Sequence, residues 1–210
     1  MSRITLDSKC RLCRAEGCKL YLKGARCLSA KCPIEKKGAV LPGMHGAKRV
    51  KKPTDYGIQL RAKQKAKRIY GVQETQFRNY FLKAKALKGL LSDNFLVLLE
   101  RRLDNVVYLA GLAESRSQSK QLISHGHVLV NGKRLSIASH SLKVNDVVTL
   151  DKKTIARTAD SMKLVEKDFK VSSWLELDKS KYTVSVKSLP STDDFNRNID
   201  INLIIEYYSR

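Results

Sequence analysis

The sequence predicts an α+β fold in three parts: an N-terminal zinc knot, a mainly helical domain, and an inserted helix–β-hairpin module with a small antiparallel sheet. All five cysteines lie between Cys10 and Cys32. Apolar residues in the middle of the chain recur at helical spacing, and the residues around Asn131-Gly132 alternate as in a hairpin. We expect the knot over residues 1–46, the helical domain over 47–93 with 190–210, and the module over 94–189.

The charge of the chain is strongly positive and unevenly distributed. The 210 residues include 41 lysines and arginines against 20 aspartates and glutamates, a formal net charge of +21. Met1–Tyr70 carries +15, against +5 for Gly71–Leu150 and +1 for Asp151–Arg210. This surplus indicates a polyanionic partner that meets chiefly the first third of the chain. We expect a cytosolic protein without a membrane partner, since no apolar run resembles a signal peptide or a membrane span.

The cysteines have the spacing of metal ligands. Cys10 and Cys13 form a C-x2-C pair, and Cys27 and Cys32 form a C-x4-C pair. In a reducing cytosol clustered thiols bind metal more often than they form disulfides, and zinc prefers four tetrahedral ligands. Two ligand sets fit the spacing: the two pairs, or Cys10, Cys13, Cys18 and Cys27. We favour the two pairs and one structural zinc ion, because a catalytic site would usually include histidine or carboxylate ligands.

Basic residues dominate both the linker that follows the cysteines and the next predicted helix. The linker contains four proline and glycine breakers between Pro42 and Pro53. The helix has an apolar stripe up to Tyr70, and no acidic residue stands between Asp55 and Glu74 to pair with its cations. We therefore interpret its charge as available to a partner. With two arginines from the cysteine segment, the candidate contacts of the first 70 residues are Arg11, Arg14, Lys48, Arg49, Lys51, Lys52, Arg61, Lys63, Lys65, Lys67 and Arg68.

Two further helical segments precede the module. The segment QFRNYFLKAKALKG has apolar residues at helical spacing, and Gly89 is its expected C-cap. The segment SDNFLVLLERRLDNVVYLAGL is expected to begin with Ser92 or Asp93 as the N-cap, and Asp104 is expected to cap or restart a helix within it.

The segment ESRSQSKQLISHGHVLVNGKRL predicts a short helix and a hairpin. Ser115 and Gln118 have the spacing of a capping box, and Asn131-Gly132 is a favoured type I′ turn. VNDVVTL and SWLELDKSKYTVSVKSL predict further strands, whereas KKTIARTADSMKLVEKDF predicts a helix. The terminal NIDINLIIEYYSR is expected to return and pack on the helical domain. The helix is expected to carry Arg116, Ser119 and Lys120 outward. The candidate contacts of the module are these three residues with His125, Lys133 and Arg134.

The stretch SRSQSKQLISHGHVLVNGKRL closely resembles the RNA-binding module named after ribosomal protein S-four. Further motifs are similar, in the same order, to the universal S-four family of bacterial small-subunit ribosomal proteins in its zinc-binding form. They are CRLCR, KLYLKG, PGMHGAKR, TDYG, QKAKRIYG, QFRNYF, LERRLDNVVYLAG and IIEYYSR. The resemblance runs nearly end to end.

The resemblance implies a structural ribosomal protein and not an enzyme. It implies a primary binder of 16S ribosomal RNA at a multi-helix junction of the 5′ domain, which nucleates subunit assembly. It also implies a role in decoding accuracy where messenger RNA enters the subunit, beside ribosomal proteins S-five and S-three, with no membrane and no self-association. Zinc-binding members use cysteines that match Cys10, Cys13, Cys27 and Cys32, which leaves Cys18 without a ligand role. The basic candidates then become candidate RNA contacts.

Two other functions are compatible with parts of the sequence. RNA-modifying enzymes of the pseudouridine synthase type carry the same module, and RRLDN resembles the string around their catalytic aspartate, which would be Asp104. In those enzymes a large catalytic domain follows the module, whereas only sixty residues follow Leu150 in this chain. A zinc-dependent nucleic-acid-binding regulator would also have a basic, cysteine-rich N-terminus, but the sequence predicts no helix-turn-helix and no finger with histidine ligands.

Overall fold

The computed structural model of the chain describes residues 8–48, 52–151, 154–155, 171–178, 181–191, 194–195 and 199–210. The chain divides into two compact units, Met1–Phe77 with Arg197–Arg210, and Arg78–Asn196. The mixed α+β class expected from the sequence is confirmed. The expected domain boundaries stay a prediction.

The first unit begins with three short helices that carry the cysteines. They are α1 (Lys9–Glu16), α2 (Ala25–Leu28) and α3 (Pro33–Lys37). Gly17 ends α1 in the left-handed conformation, with φ +67, which glycine adopts without strain. Cys13, Cys27 and Cys32 are buried together with Leu20. The core of this segment is therefore small and consists largely of thiols.

The long helix of the first unit packs against the C-terminal helix. α4 spans Asp55–Tyr70, and α9 spans Ile201–Ser209. The side chain of Thr54 caps α4 by accepting a hydrogen bond of 3.2 Å from the Gly57 N–H. Ile204 is fully buried in α9. The expected return of the C-terminus to the helical part is confirmed, and the returning segment is a helix.

Three helices lie between α4 and the module. They are α5 (Glu74–Ala86), α6 (Leu91–Glu100) and α7 (Leu103–Leu109). Phe77 and Phe81 of α5 are buried, as their spacing predicted. Asp104 lies in the first turn of α7, where Arg102 occupies the N-cap position. The carboxylate of Asp104 pairs with Arg102 and does not cap the helix.

Both helix ends expected around residue 90 are wrong. α5 ends before Gly89, and α6 begins with Leu90 at the N-cap position in place of Ser92 or Asp93. The side-chain amide of Asn94 donates a hydrogen bond of 3.2 Å to a carbonyl oxygen of the connecting turn. A bond from inside α6 therefore holds the turn, and no local capping pattern reveals it.

The helix and hairpin of the module form as predicted. α8 spans Arg116–Ser124, and the Ser115 hydroxyl accepts a hydrogen bond of 3.3 Å from the Gln118 N–H at its start. The turn residues Asn131 and Gly132 have φ of +50 and +79. Both positive values are what a type I′ turn requires.

The strands within the described residues form one antiparallel sheet in the order β2-β1-β3-β5-β4. Val128, Val148 and Val184 are fully buried on its inner face, where Ile123 of α8 packs. The predicted strands are confirmed. The helix predicted over residues 152–169 falls mostly outside the described residues. The strands are β1 (Val128–Val130), β2 (Lys133–Arg134), β3 (Val147–Leu150), β4 (Leu175–Asp178) and β5 (Thr183–Val186).

Candidate nucleic-acid interface

Two lysines of α4 are held by one carboxylate of α5. The Nζ atoms of Lys63 and Lys67 lie 2.7 Å and 3.0 Å from oxygens of Glu74. Burial would raise the pKa of Glu74, but hydrogen bonds from both lysines and Tyr208 bring that pKa below its ordinary value. Lys63 is only 4% exposed, and its Nζ lies 4.4 Å from the ring centroid of Tyr207. We therefore leave Lys63 out of the proposed interface.

Two arginines of α4 converge on a second carboxylate. The same Oε1 atom of Glu16, the last residue of α1, contacts Nη1 of Arg61 at 3.4 Å and Nη1 of Arg68. The charge of α4 is thus partly paired, and its availability to a partner stays a prediction. The helix itself contains no acid after Asp55, but its partners come from α1 and α5.

Arg14 holds the start of the linker. Its Nε donates a hydrogen bond of 2.8 Å to the carbonyl oxygen of Val40, and its Nη2 donates one of 2.9 Å to that of Leu41. These bonds tie the chain after α3 back to α1. Arg14 is therefore in part a structural residue, although its predicted role as an RNA contact stays a prediction.

The other candidates of the first unit differ in exposure. Arg11, Lys48 and Lys52 are exposed and Lys65 is half-buried. Arg49 and Lys51 lie outside the described residues. Six further cations, absent from the sequence-based candidates, are also exposed. They lie near the cysteines or in and just after the second half of α5. Their regular spacing, with a lysine or arginine at every second to fifth position, could have identified them from the sequence. They are Lys23, Arg26, Lys31, Lys83, Lys85 and Lys88.

Three of the four thiols of the two cysteine pairs are buried: Cys13, Cys27 and Cys32. The pKa of Cys13 is raised, mainly by burial and further by the charges that Cys27, Cys10 and Cys32 would carry as thiolates. The Lys23 N–H donates a hydrogen bond of 3.3 Å to Cys27 Sγ. Across the part of the chain that the structure describes, no group of three or more histidine, cysteine or acidic side chains is already arranged to hold a metal ion.

A buried ion pair joins Arg102 and Asp104 at the start of α7. Arg102, only 1% exposed, donates from Nε and Nη2 to the two oxygens of Asp104 at 3.0 Å and 2.7 Å, and from Nη1 to Tyr80 Oη at 2.8 Å. Burial would lower the pKa of Arg102, but the Asp104 carboxylate raises it above its ordinary value. Lys120 Nζ lies 3.7 Å from Asp104, and burial lowers the pKa of this lysine.

In α8, Arg116 lies against α7 and Ser119 is buried. Arg116 donates from Nε to Asn105 Oδ1 at 2.8 Å, and its guanidinium lies 4.4 Å from the ring centroid of Tyr108. Ser119 is fully buried, and its hydroxyl donates to the Ser115 carbonyl oxygen at 3.2 Å. The outward orientation expected for Ser119 is wrong, and we leave this residue out of the proposed interface.

Side-chain bonds hold the hairpin turn in place. Asn131 Nδ2 donates to Asp146 Oδ1 at 2.9 Å, and its Oδ1 accepts from the Val147 N–H at 2.9 Å. Burial would raise the pKa of Asp146, but hydrogen bonds from the Lys143 N–H and from Asn131 lower it. The turn is therefore bound to β3 through a carboxylate that is charged at neutral pH.

The cations of the hairpin are exposed. Lys133 and Arg134 form β2, one of the two edge strands of the described sheet. Arg134 approaches Asp151 only loosely, at 3.9 Å, and 72% of its side chain is exposed. His125 is exposed at the end of α8. These side chains are accessible from solvent, as contacts to a polyanion must be.

The length and apolarity of the helices and the similarity of the chain to known families both bear on the kind of partner it has. None of the helices within the described residues combines the length and apolarity that crossing a membrane demands. Residues 5–100 match the family model described as "Ribosomal protein S4/S9 N-terminal domain", and residues 101–148 match the one described as "S4 domain".

Three bacterial proteins named "Small ribosomal subunit protein uS4" are similar to this chain along its length. The protein of Clostridium tetani is 48% identical over 210 residues, 100% of both chains. That of Desulfotalea psychrophila is 48% identical over 207 residues, 98% of both. That of Desulfitobacterium hafniense is 49% identical over 203 residues, 96% of both.

Proposed function

The chain belongs to the uS4 family of small ribosomal subunit proteins, and from this premise we propose that it is a structural constituent of the small ribosomal subunit that binds ribosomal RNA. The observation that carries the proposal is 48% identity to a named family member over the full length of both chains. The relatives are named as ribosomal proteins, which confirms the expectation that the chain is not an enzyme.

The geometry of the module supports contact with a folded RNA backbone. Proteins recognise structured RNA largely through its shape, its phosphates and its 2′-hydroxyls. Arg116 and Lys120 are held in place by Asn105 and Asp104 before any partner binds. Cations that are already oriented lose less conformational entropy on binding than free side chains do. The exposed residues of β2 add charge that needs no rearrangement to reach a phosphate.

A finer proposal rests on the resemblance of the motifs. We propose that the RNA is the 16S species, bound at a multi-helix junction of its 5′ domain, and that this binding nucleates subunit assembly in the bacterial cytoplasm. We propose neighbours of the same kind as the family has, ribosomal proteins S-five and S-three and messenger RNA where it enters the subunit, with an effect on decoding accuracy. The net charge of +21 supports a nucleic-acid partner.

We also propose that Cys10, Cys13, Cys27 and Cys32 hold one structural zinc ion. The donor set fits, because four cysteine thiolates are a ligand set that structural zinc prefers, and three of these thiols are buried in a segment with one other buried side chain, Leu20. Their side chains would have to converge, since the described residues form no finished metal site. Bound zinc would supply a cross-link between α1, α2 and the start of α3. Cys18 has no role in this proposal.

The hairpin provides a test of RNA binding. We expect Lys133→Gln with Arg134→Gln to weaken binding to a transcript of the 16S 5′ domain. We also expect it to reduce the slope of log affinity against log salt by about 1.4 to 1.8, since each of the two phosphate contacts contributes roughly 0.7 to 0.9. Filter binding between about 50 and 200 mM salt measures both quantities.

The matched control removes the same charge elsewhere in the second unit. Lys181 and Lys187 are exposed, on the far side of the sheet order from β2. Lys181→Gln with Lys187→Gln should leave the slope close to that of the unaltered protein. Equal losses in the two double variants would remove β2 from the interface. Equal affinity of the unaltered protein for the transcript and for duplex DNA would favour a DNA-binding regulator instead.

A further inference from the structure

We infer that Glu16 is a positioning residue, which orients Arg61 and Arg68 for RNA phosphates. The inference rests on the proposed RNA-binding function. The side chain of Glu16 is only 3% exposed, whereas that of Arg61 is 45% exposed. A buried carboxylate is costly unless it is paired. The pairing at Glu16 therefore fixes where the two guanidinium groups lie.

The two arginines occupy one face of α4. They are seven residues apart, which is close to two helical turns and about 10 Å along the axis. Both Nη1 atoms contact the same Oε1 atom of Glu16. Without that carboxylate the two cations would repel each other, and their flexible side chains would spread over many rotamers.

The pairing leaves hydrogen-bond donors for a second anion. Each guanidinium has five N–H donors, and a single carboxylate oxygen cannot use them all. Arg61 and Arg68 keep part of their side chains in solvent, and guanidinium groups match phosphate geometry. Glu16 thus holds two arginines at a fixed separation while their remaining donors stay available to phosphate oxygens.

The position of Glu16 also connects α4 to the cysteine segment. Glu16 ends the helix that carries Cys10 and Cys13. Any event that orders α1 therefore places the carboxylate against α4. The predicted consequence is that RNA binding through Arg61 and Arg68 depends on the fold of the cysteine segment.

Removing the charge of Glu16 separates positioning from simple electrostatics, because the two effects have opposite signs. Glu16→Gln makes the protein more positive, which by itself should strengthen RNA binding. Loss of positioning should weaken it. Glu35 provides the matched control, since it lies in the same basic segment, is 54% exposed, and pairs only with Lys19 among the contacts of the described residues.

The experiment measures binding of the full-length chain to a transcript of the 16S 5′ domain and to duplex DNA as a non-specific probe. We expect Glu16→Gln to bind the transcript about tenfold more weakly, the loss typical of one charge-assisted contact, with no loss on duplex DNA. Glu35→Gln should bind the transcript as tightly as the unaltered protein or slightly more tightly. Transcript binding by Glu16→Gln that matches Glu35→Gln would overturn the inference.

A double-mutant cycle checks that Glu16 acts through the arginines. In an Arg61→Gln, Arg68→Gln background, Glu16→Gln should cause no further loss of transcript affinity. A further tenfold loss there would show an effect on the fold alone and would also overturn the inference. If Glu16→Gln does not fold, Glu16→Asp keeps the charge but shortens the side chain. We then expect about a threefold loss, and unchanged affinity would contradict positioning.

These outcomes are distinct from failure of the proposed function. An unaltered protein that binds the transcript no better than duplex DNA would contradict RNA recognition itself. An unaltered protein that binds the transcript specifically, with Glu16→Gln unchanged, would contradict only the role of Glu16.

Discussion

Replacing Cys13 and Cys27 by serine should abolish zinc binding and unfold the segment before Pro42, while the second unit stays folded. One ligand is lost from each pair, and the apparent binding free energy of a structural zinc ion, roughly 10 to 16 kcal/mol, is also folding free energy. Its apolar core is too small to replace the metal, because the buried residues described in it are Cys13, Cys27, Cys32 and Leu20. Native mass spectrometry counts the zinc, and hydrogen exchange of residues 8–41 reports the unfolding.

Single replacements distinguish the two ligand sets. Cys18→Ser should keep one equivalent of zinc, whereas Cys32→Ser should lose it. The reverse pattern would assign the site to the set that contains Cys18. Zinc retained by the Cys13, Cys27 double variant would exclude both sets.

Asp104→Asn should lower the free energy of unfolding of the second unit by about 3 to 5 kcal/mol. The substitution leaves the guanidinium of Arg102, which is only 1% exposed, without its charged partner. Trp174, the single tryptophan of the chain, is buried in the same unit. Its fluorescence during urea denaturation therefore measures the loss.

An exposed ion pair gives the control. Asp151 approaches Arg134 at 3.9 Å on the surface, so Asp151→Asn should cost less than about 1 kcal/mol. A cost within that limit for Asp104→Asn as well would contradict the structural role of the Arg102–Asp104 pair. The same pair weighs against a catalytic role for Asp104, because its carboxylate is buried and accepts hydrogen bonds on both oxygens.

Features that depend on neighbouring residues could be predicted from the sequence. The hydrogen bond at the start of α8 joins Ser115 to Gln118, and the type I′ turn needs only Asn131 and Gly132. The helix ends near residue 90 could not be predicted, because the turn is held by Asn94 from inside α6.

The ion pairs of α4 could not be predicted either, because they also join residues that are distant in the sequence. Their partners, Glu16 and Glu74, belong to other helices, and helical spacing within α4 carries no information about them. The sequence predicts the wrong face for Ser119, because a short helix between a cap and a hairpin has few apolar residues to define its inner side. Exposed cations such as Lys133 were correctly placed on the surface, but which of them contact RNA stays a prediction.

The most direct test of the central claim is sedimentation of the full-length chain with small ribosomal subunits reconstituted from 16S ribosomal RNA without their own S-four protein. The account predicts one chain per subunit at about 0.15 M salt, with one equivalent of zinc in the bound chain. A chain that stays in the supernatant while the other small-subunit proteins sediment would contradict it.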